Sequence, residues 1–327
     1  MTHKHNTSHY CTLLAGTISD FRCAARIRPP PVSGSVPALT ETLCIAARVY
    51  VYFLFASLQR WYSTDHMSSG TLEKWVVCRR PKPDASVRLF CAAWAGGSAS
   101  AFNKWPNVLP DAVELRALQL PGRMSRSKED PLTSIDTIAE GAAKALISMG
   151  LLDKPFALFG HSMGSLIMFE LARKLQQDAH ATPICLVVSG CRPPNASLCV
   201  GEPSRPQVSQ LPRDALFDHL VNLGGMPAEL RDQAELVNYF LPPIRADYMA
   251  FECYRSCAEE DSALTCPIVS LGGEADAGTP RGDLEQWANY TTGEFRLCMF
   301  DGGHFFLKDE GEATVLRFLS ETLMAMS

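Results

Sequence analysis

The sequence predicts an α/β fold, a mostly parallel sheet with helices on both faces, and two observations carry that prediction. From Met67 onward, short apolar runs of strand length alternate with amphipathic helical stretches. The 261 residues that follow also have room for one large domain with a full core, and the whole chain is 46% hydrophobic and 20% charged, an ordinary globular composition. The elements follow in order. Residues 87–92 form an apolar strand, and 113–120 (Val-Glu-Leu-Arg-Ala-Leu-Gln-Leu) form a second. Across 134–149, Ile135, Ile138, Ala139, Ala142, Leu146 and Ile147 share one helical face. A four-residue strand at 156–159 leads into a helix over 166–175 and a strand at 184–188. Residues of about 200–265 give no strand signal but hold helical patches at 213–223 and 228–239, an insertion of the size that forms a cap. Strands at 267–271 and 295–300 and a helix over 313–324 complete the pattern.

The first 66 residues read differently. They are rich in Ser, Thr, Pro and His and contain Pro29-Pro-Pro-Val-Ser-Gly-Ser-Val-Pro37, so a disordered extension is expected for 1–66 and the folded domain for 67–327. Six basic and three acidic residues give the extension +3, a balance that an organelle presequence would also show. The whole chain carries −5 and offers no footprint for nucleic acid. The apolar stretch 43–58 is interrupted by Arg48 and is shorter than the roughly 20 residues of a spanning helix, so no membrane span is expected. Twelve cysteines include only one close pair, Cys253 and Cys257, which favours reduced thiols and a cytoplasmic setting over a zinc or disulfide scaffold.

The strongest chemical signal is Phe156-Ala-Leu-Phe-Gly160-His-Ser162-Met-Gly164, a Gly-x-Ser-x-Gly between a strand and a helix. That context defines the nucleophile elbow of the α/β-hydrolase fold. A serine on so sharp a turn takes a strained backbone, and Gly160 and Gly164 remove the Cβ atoms that would collide there. The helix N-terminus directs the Met163 N–H toward a developing oxyanion. His161 is expected to pack rather than act as base. A second oxyanion donor is expected from the loop Trp94-Ala-Gly-Gly-Ser98 after the first strand. The base should follow the serine in the chain. His180 lies in a polar turn and His219 in an amphipathic helix, whereas His304 sits in the Gly-rich loop after the last strand, where such a sheet displays catalytic groups.

With these residues in place, the chain from Met67 resembles the type II (external) thioesterases, most closely the animal branch that releases medium-chain fatty acids from fatty acid synthase. The matching segments are Trp94-Ala-Gly-Gly-Ser98, Leu118-Gln-Leu-Pro-Gly-Arg123, Lys154-Pro-Phe-Ala-Leu-Phe-Gly-His-Ser-Met-Gly-Ser165, Pro243-Ile-Arg-Ala-Asp247 and Gly302-Gly-His-Phe305. The resemblance implies Ser162 as nucleophile, His304 as base, Asp276 as the acid, and the N–H groups of Ala95 and Met163 as oxyanion hole. Asp276 also fits as a residue on a short turn after a strand. Asp283 reads as an N-cap, Asp301 as locked in the turn of His304, and Asp247, which follows Arg245 in the cap, as holding an ion pair or a structural hydrogen bond. Ala93 and Met124 depart from the family, which usually has Pro and an acidic residue there.

The implied reaction is hydrolysis of fatty acyl thioesters on acyl carrier protein or CoA, without metal or organic cofactor, with acyl carrier protein or fatty acid synthase as partner. Leu216, Leu220, Met226 and Phe240 of the cap are candidates to shelter the acyl chain, and a basic surface of Arg123, Arg126 and Lys128 is expected to dock an acidic carrier. Alternatives are an editing thioesterase of a polyketide or peptide synthase, a carboxylester hydrolase of the same fold, and a catalytically silent acyl- or carrier-binding module.

Overall fold

The computed structural model describes residues 72–194, 207–255 and 263–326, and the expectation for residues 1–66 lies outside them. Seven strands form the sheet: β1 (Val76–Val77), β2 (Val87–Ala92), β3 (Val113–Leu118), β4 (Phe156–His161), β5 (Cys185–Ser189), β6 (Ile268–Gly273) and β7 (Phe295–Phe300). Their order is β1-β3-β2-β4-β5-β6-β7, all neighbours parallel except the edge pair β1/β3. The central strands β2, β4 and β5 are buried at every residue, which is why they read as mostly apolar runs rather than alternating ones; the exception within β2, Arg88, is ion-paired with Glu114.

Alternate residues still sort to opposite faces. Phe90, Leu158 and Val188 meet helices α1 (Ile135–Ser148) and α2 (Met163–Asp178), while Leu89, Cys91, Phe159 and Val187 meet Phe102, Trp105 and helix α6 (Glu312–Met326). Helix α1 starts where the Ser134 Oγ accepts the Thr137 N–H, and its buried Ile135, Ile138, Ala142 and Leu146 repeat at helical spacing. In α6 the same spacing buries Val315, Leu316, Leu319 and Leu323, each such side chain contributing roughly 2 kcal/mol.

Between β5 and β6, helices α3 (Arg213–Asn222) and α4 (Ala234–Cys253) enclose a core of their own, with Leu216, Phe217, Leu220, Val237, Leu241 and Ile244 buried together. Helix α4 runs 14 residues past the end expected at 239, through Pro242 and Pro243. Prolines normally end a helix, but here burial of Ile244, Asp247 and Ala250 carries the helix on. Helix α5 (Arg281–Glu285) also departs from expectation. Asp283 lies inside it rather than capping it, and pairs with Arg192 at 2.9 Å. No helix among the described residues is long and apolar enough to cross a membrane.

Candidate active site

Strand β4 delivers Ser162 on a turn with φ 53° and ψ −124°, a conformation that costs on the order of 1–3 kcal/mol and persists only where neighbours enforce it. The enforcement is visible. The Ser162 N–H donates to the Ser189 carbonyl at 2.7 Å, and the Ser165 hydroxyl donates to the Gly160 carbonyl at 2.9 Å while accepting the Ser189 N–H at 3.0 Å. A Cβ on Gly160 would lie 2.1 Å from the Gly164 carbonyl oxygen, and one on Gly164 would lie 2.3 Å from that of Ala92. The two glycines thus let α2 start hard against the ends of β2 and β4. The Met163 N–H, first in α2, has no intrahelical acceptor.

His304 stands on the loop after β7 and Asp276 on the loop after β6. Cross-loop bonds join them: the Glu274 N–H donates to the Phe300 carbonyl at 2.8 Å and the Ala275 N–H to that of Gly302 at 2.9 Å. Gly273 permits this approach, since a Cβ there would sit 2.4 Å from the Gly303 carbonyl. His304 Nδ1 then donates to Asp276 Oδ2 at 2.7 Å. The Thr279 hydroxyl donates to the same oxygen at 2.7 Å and the Gly278 N–H to Oδ1 at 2.9 Å, two partners that sequence reasoning missed. Burial alone would raise the Asp276 carboxyl, but hydrogen bonds from His304, Thr279 and Gly278 outweigh it and hold the group below the usual carboxylate value. With Nδ1 engaged, Nε2 is the His304 nitrogen left for proton transfer.

The alternative residues are placed elsewhere. His161 is fully buried, its Nδ1 2.9 Å from the Ser189 hydroxyl and its ring centre 5.1 Å from that of His304. Burial, followed by the nearby His304 and Lys308 charges, pushes it well below the usual imidazole value, so it packs as a neutral ring. His180 is exposed in a turn, and His219 lies in α3 with its ring centre 5.7 Å from that of Tyr248. Asp301 is exposed. Two expectations are corrected. Asp247 is paired with Arg123 rather than Arg245, whose guanidinium donates to the Ser209 carbonyl. The expected basic surface is also absent as drawn: Arg123 is 5% exposed and Arg126 2%, the latter paired with Glu129 and stacked on Trp75, leaving only Lys128 outside.

Ser162 and His304 open onto one cavity of about 370 Å³. The loop from Trp94 to Ser98 forms one wall, including Ala95, whose N–H has no acceptor among the described residues. Leu220, Met226, Phe240 and Ile244 add apolar lining, while Leu216, also expected there, is buried inside the cap core. A wider depression of about 620 Å³ lies near Phe156, at the other end of β4, and contains none of these groups.

The sheet order and the strand-turn-helix at Ser162 define the α/β-hydrolase fold. Within it, the chain belongs to the thioesterase family: the family model for a thioesterase domain matches residues 87–323. The chain is 36% identical over 252 residues to the gramicidin S biosynthesis protein GrsT of Aneurinibacillus migulanus, covering 77% of this chain and 94% of that protein. It is 31% identical to the medium-chain S-acyl fatty acid synthase thioesterase of Rattus norvegicus, covering 77% and 93% respectively. Among solved structures, the type II thioesterase BorB from the borrelidin biosynthetic cluster superposes with a TM-score of 0.68 at 33% identity, over 76% of this chain and 98% of that one.

Proposed function

We propose that residues 67–327 hydrolyse acyl thioesters carried on the phosphopantetheine arm of a carrier protein, through Ser162, His304 and Asp276. The observation that carries the reading is the 2.7 Å bond from His304 Nδ1 to a buried, multiply bonded Asp276, with His304 and the strained Ser162 facing one cavity. In this reaction Ser162 Oγ attacks the carbonyl carbon as its proton passes to His304 Nε2. The C–S bond then breaks and the proton leaves with the pantetheine sulfur. His304 next takes a proton from water, whose oxygen attacks the acyl-serine, and the free acid departs as Ser162 regains its proton. The N–H groups of Ala95 and Met163 hold the oxyanion in both steps.

The fatty acid synthase relative supports a fatty acyl substrate, and Leu220, Met226 and Phe240 offer an apolar wall for one. GrsT and BorB support a second reading, editing of acyl groups misloaded on a peptide or polyketide synthase. Both are tested by comparing octanoyl and acetyl groups on a carrier protein, on CoA and as p-nitrophenyl esters. The proposal expects kcat/KM for the carrier-bound thioester to exceed that for the ester of the same acyl group by about tenfold or more. A preference for octanoyl supports the synthase-release reading, and a preference for acetyl the editing one. Faster turnover of the esters would make the chain a carboxylester hydrolase.

A further inference from the structure

We infer that Asp247 and Arg123 are positioning residues that seat the oxyanion loop, so that the oxyanion hole is complete only while helix α4 is docked on residues 94–97. The inference rests on the thioesterase reading above and extends it to two segments that the triad leaves unexplained, Leu118-Gln-Leu-Pro-Gly-Arg123 and Pro243-Ile-Arg-Ala-Asp247.

Asp247 is fully buried, reaching from α4 to the loop after β2. Its Oδ2 accepts the Gly96 N–H at 2.7 Å. Arg123 grips the carboxylate with both arms, Nη1 to Oδ2 at 2.5 Å and Nη2 to Oδ1 at 2.7 Å, a fork that only a guanidinium supplies. The same Nη1 also donates to the Gly97 carbonyl at 3.1 Å. The turn itself is closed by the Gly97 N–H on the Trp94 carbonyl at 2.8 Å. One turn of helix before Asp247, Ile244 seals the contact: Gly96 has φ +80°, and a Cβ there would lie 2.4 Å from Ile244 Cγ1. The amide at 96 and the carbonyl at 97 are therefore fixed from outside the cavity. The N–H at 95, one residue back along the same tight turn, has no acceptor among the described residues and belongs to a residue of the cavity lining. Oxyanion stabilisation depends on donors held in place before the charge develops. A carboxylate on the cap that fixes this turn ties the catalytic geometry to the seating of the cap.

The test compares wild type with Asp247→Asn, which keeps the shape but loses the charge, and with Arg123→Met/Asp247→Leu, which replaces the pair by apolar side chains of similar volume. For each, kcat and KM are measured on a small acyl-pantetheine, together with Kd for an alkyl boronic acid that forms a tetrahedral adduct. Wild-type turnover of the acyl-pantetheine checks the thioesterase reading separately. The inference expects kcat to fall about 10²-fold, with KM changed by less than about threefold. Boronate affinity should fall by the same factor as kcat. A purely structural pair would lower the melting temperature and leave kcat of the folded protein unchanged. Wild-type kcat and boronate affinity in either folded variant would overturn the inference. So would insolubility of both variants, which would assign the pair to folding.

Discussion

Adding one methyl group at Gly160 should disable the enzyme, because of where the methyl would go. The Cβ of Gly160→Ala would lie 2.1 Å from the Gly164 oxygen, 2.3 Å from its carbonyl carbon and 2.4 Å from the Ser165 nitrogen. Carbon–oxygen contacts settle at about 3.3 Å or more, so the first turn of α2 must retreat by roughly 1 Å. All three atoms are backbone, and no side-chain rotation relieves them. The retreat carries the Met163 N–H and the Ser162 turn with it. A misplacement of that size costs about 10²-fold in rate, and overpacking of this kind about 1–3 kcal/mol in stability. Gly282→Ala is the matched control. Nothing lies within 4 Å of its Cβ, so it should stabilise helix α5 by roughly 0.4–1 kcal/mol and leave turnover alone. Turnover of an acyl-pantetheine and urea midpoints read out both. Gly160→Ala with a wild-type rate and midpoint would refute the steric account of the elbow.

Asp276→Asn should lower kcat by about 10⁴-fold with the fold intact, because an amide can favour the wrong His304 tautomer; the same swap at Asp283 or Asp301 should cost far less. The two buried carboxylates should also shape acid stability with opposite signs. Asp276 lies below its ordinary value of 3.8 in the folded state, so its stabilisation is complete above about pH 4 and is lost as pH falls through the folded value. Asp276→Asn should therefore flatten the loss below that point in urea titrations. Asp247 is raised above 3.8 by burial, against the pull of Arg123, so its contribution declines as pH rises from 3.8 through the folded value. Asp247→Asn should remove that decline, and a change on the same side of 3.8 for both variants would contradict the assignments.

What the sequence revealed is what local pattern encodes. Six of the seven strands are legible, the central ones most plainly because both of their faces are covered, and the elbow shows because its two glycines must flank Ser162 at fixed spacing. Strand β1 leaves no sequence signal because two residues, Val76 and Val77, carry no period. Asp247 and Arg123 lie 124 residues apart, so neither could be assigned its partner from spacing. From the sequence, Asp247 reads as a charge beside Arg245, and Arg123 as part of a basic docking surface. The burial of Arg126 is equally hidden from local pattern, since it depends on Trp75 lying beneath it from a distant segment. Pro242 and Pro243 are local breaker signals, and only the buried face of α4 carries the helix through them beyond Tyr239.

The claim that Ser162 forms a covalent acyl intermediate meets its most direct test in rapid-quench peptide mass spectrometry. Wild-type protein is mixed with an acyl-pantetheine, quenched in acid within milliseconds and digested. The account predicts an adduct of the acyl mass on the peptide that contains Ser162, formed before steady-state turnover and missing from Ser162→Ala. An adduct that persists in Ser162→Ala, or maps to another residue, would contradict it.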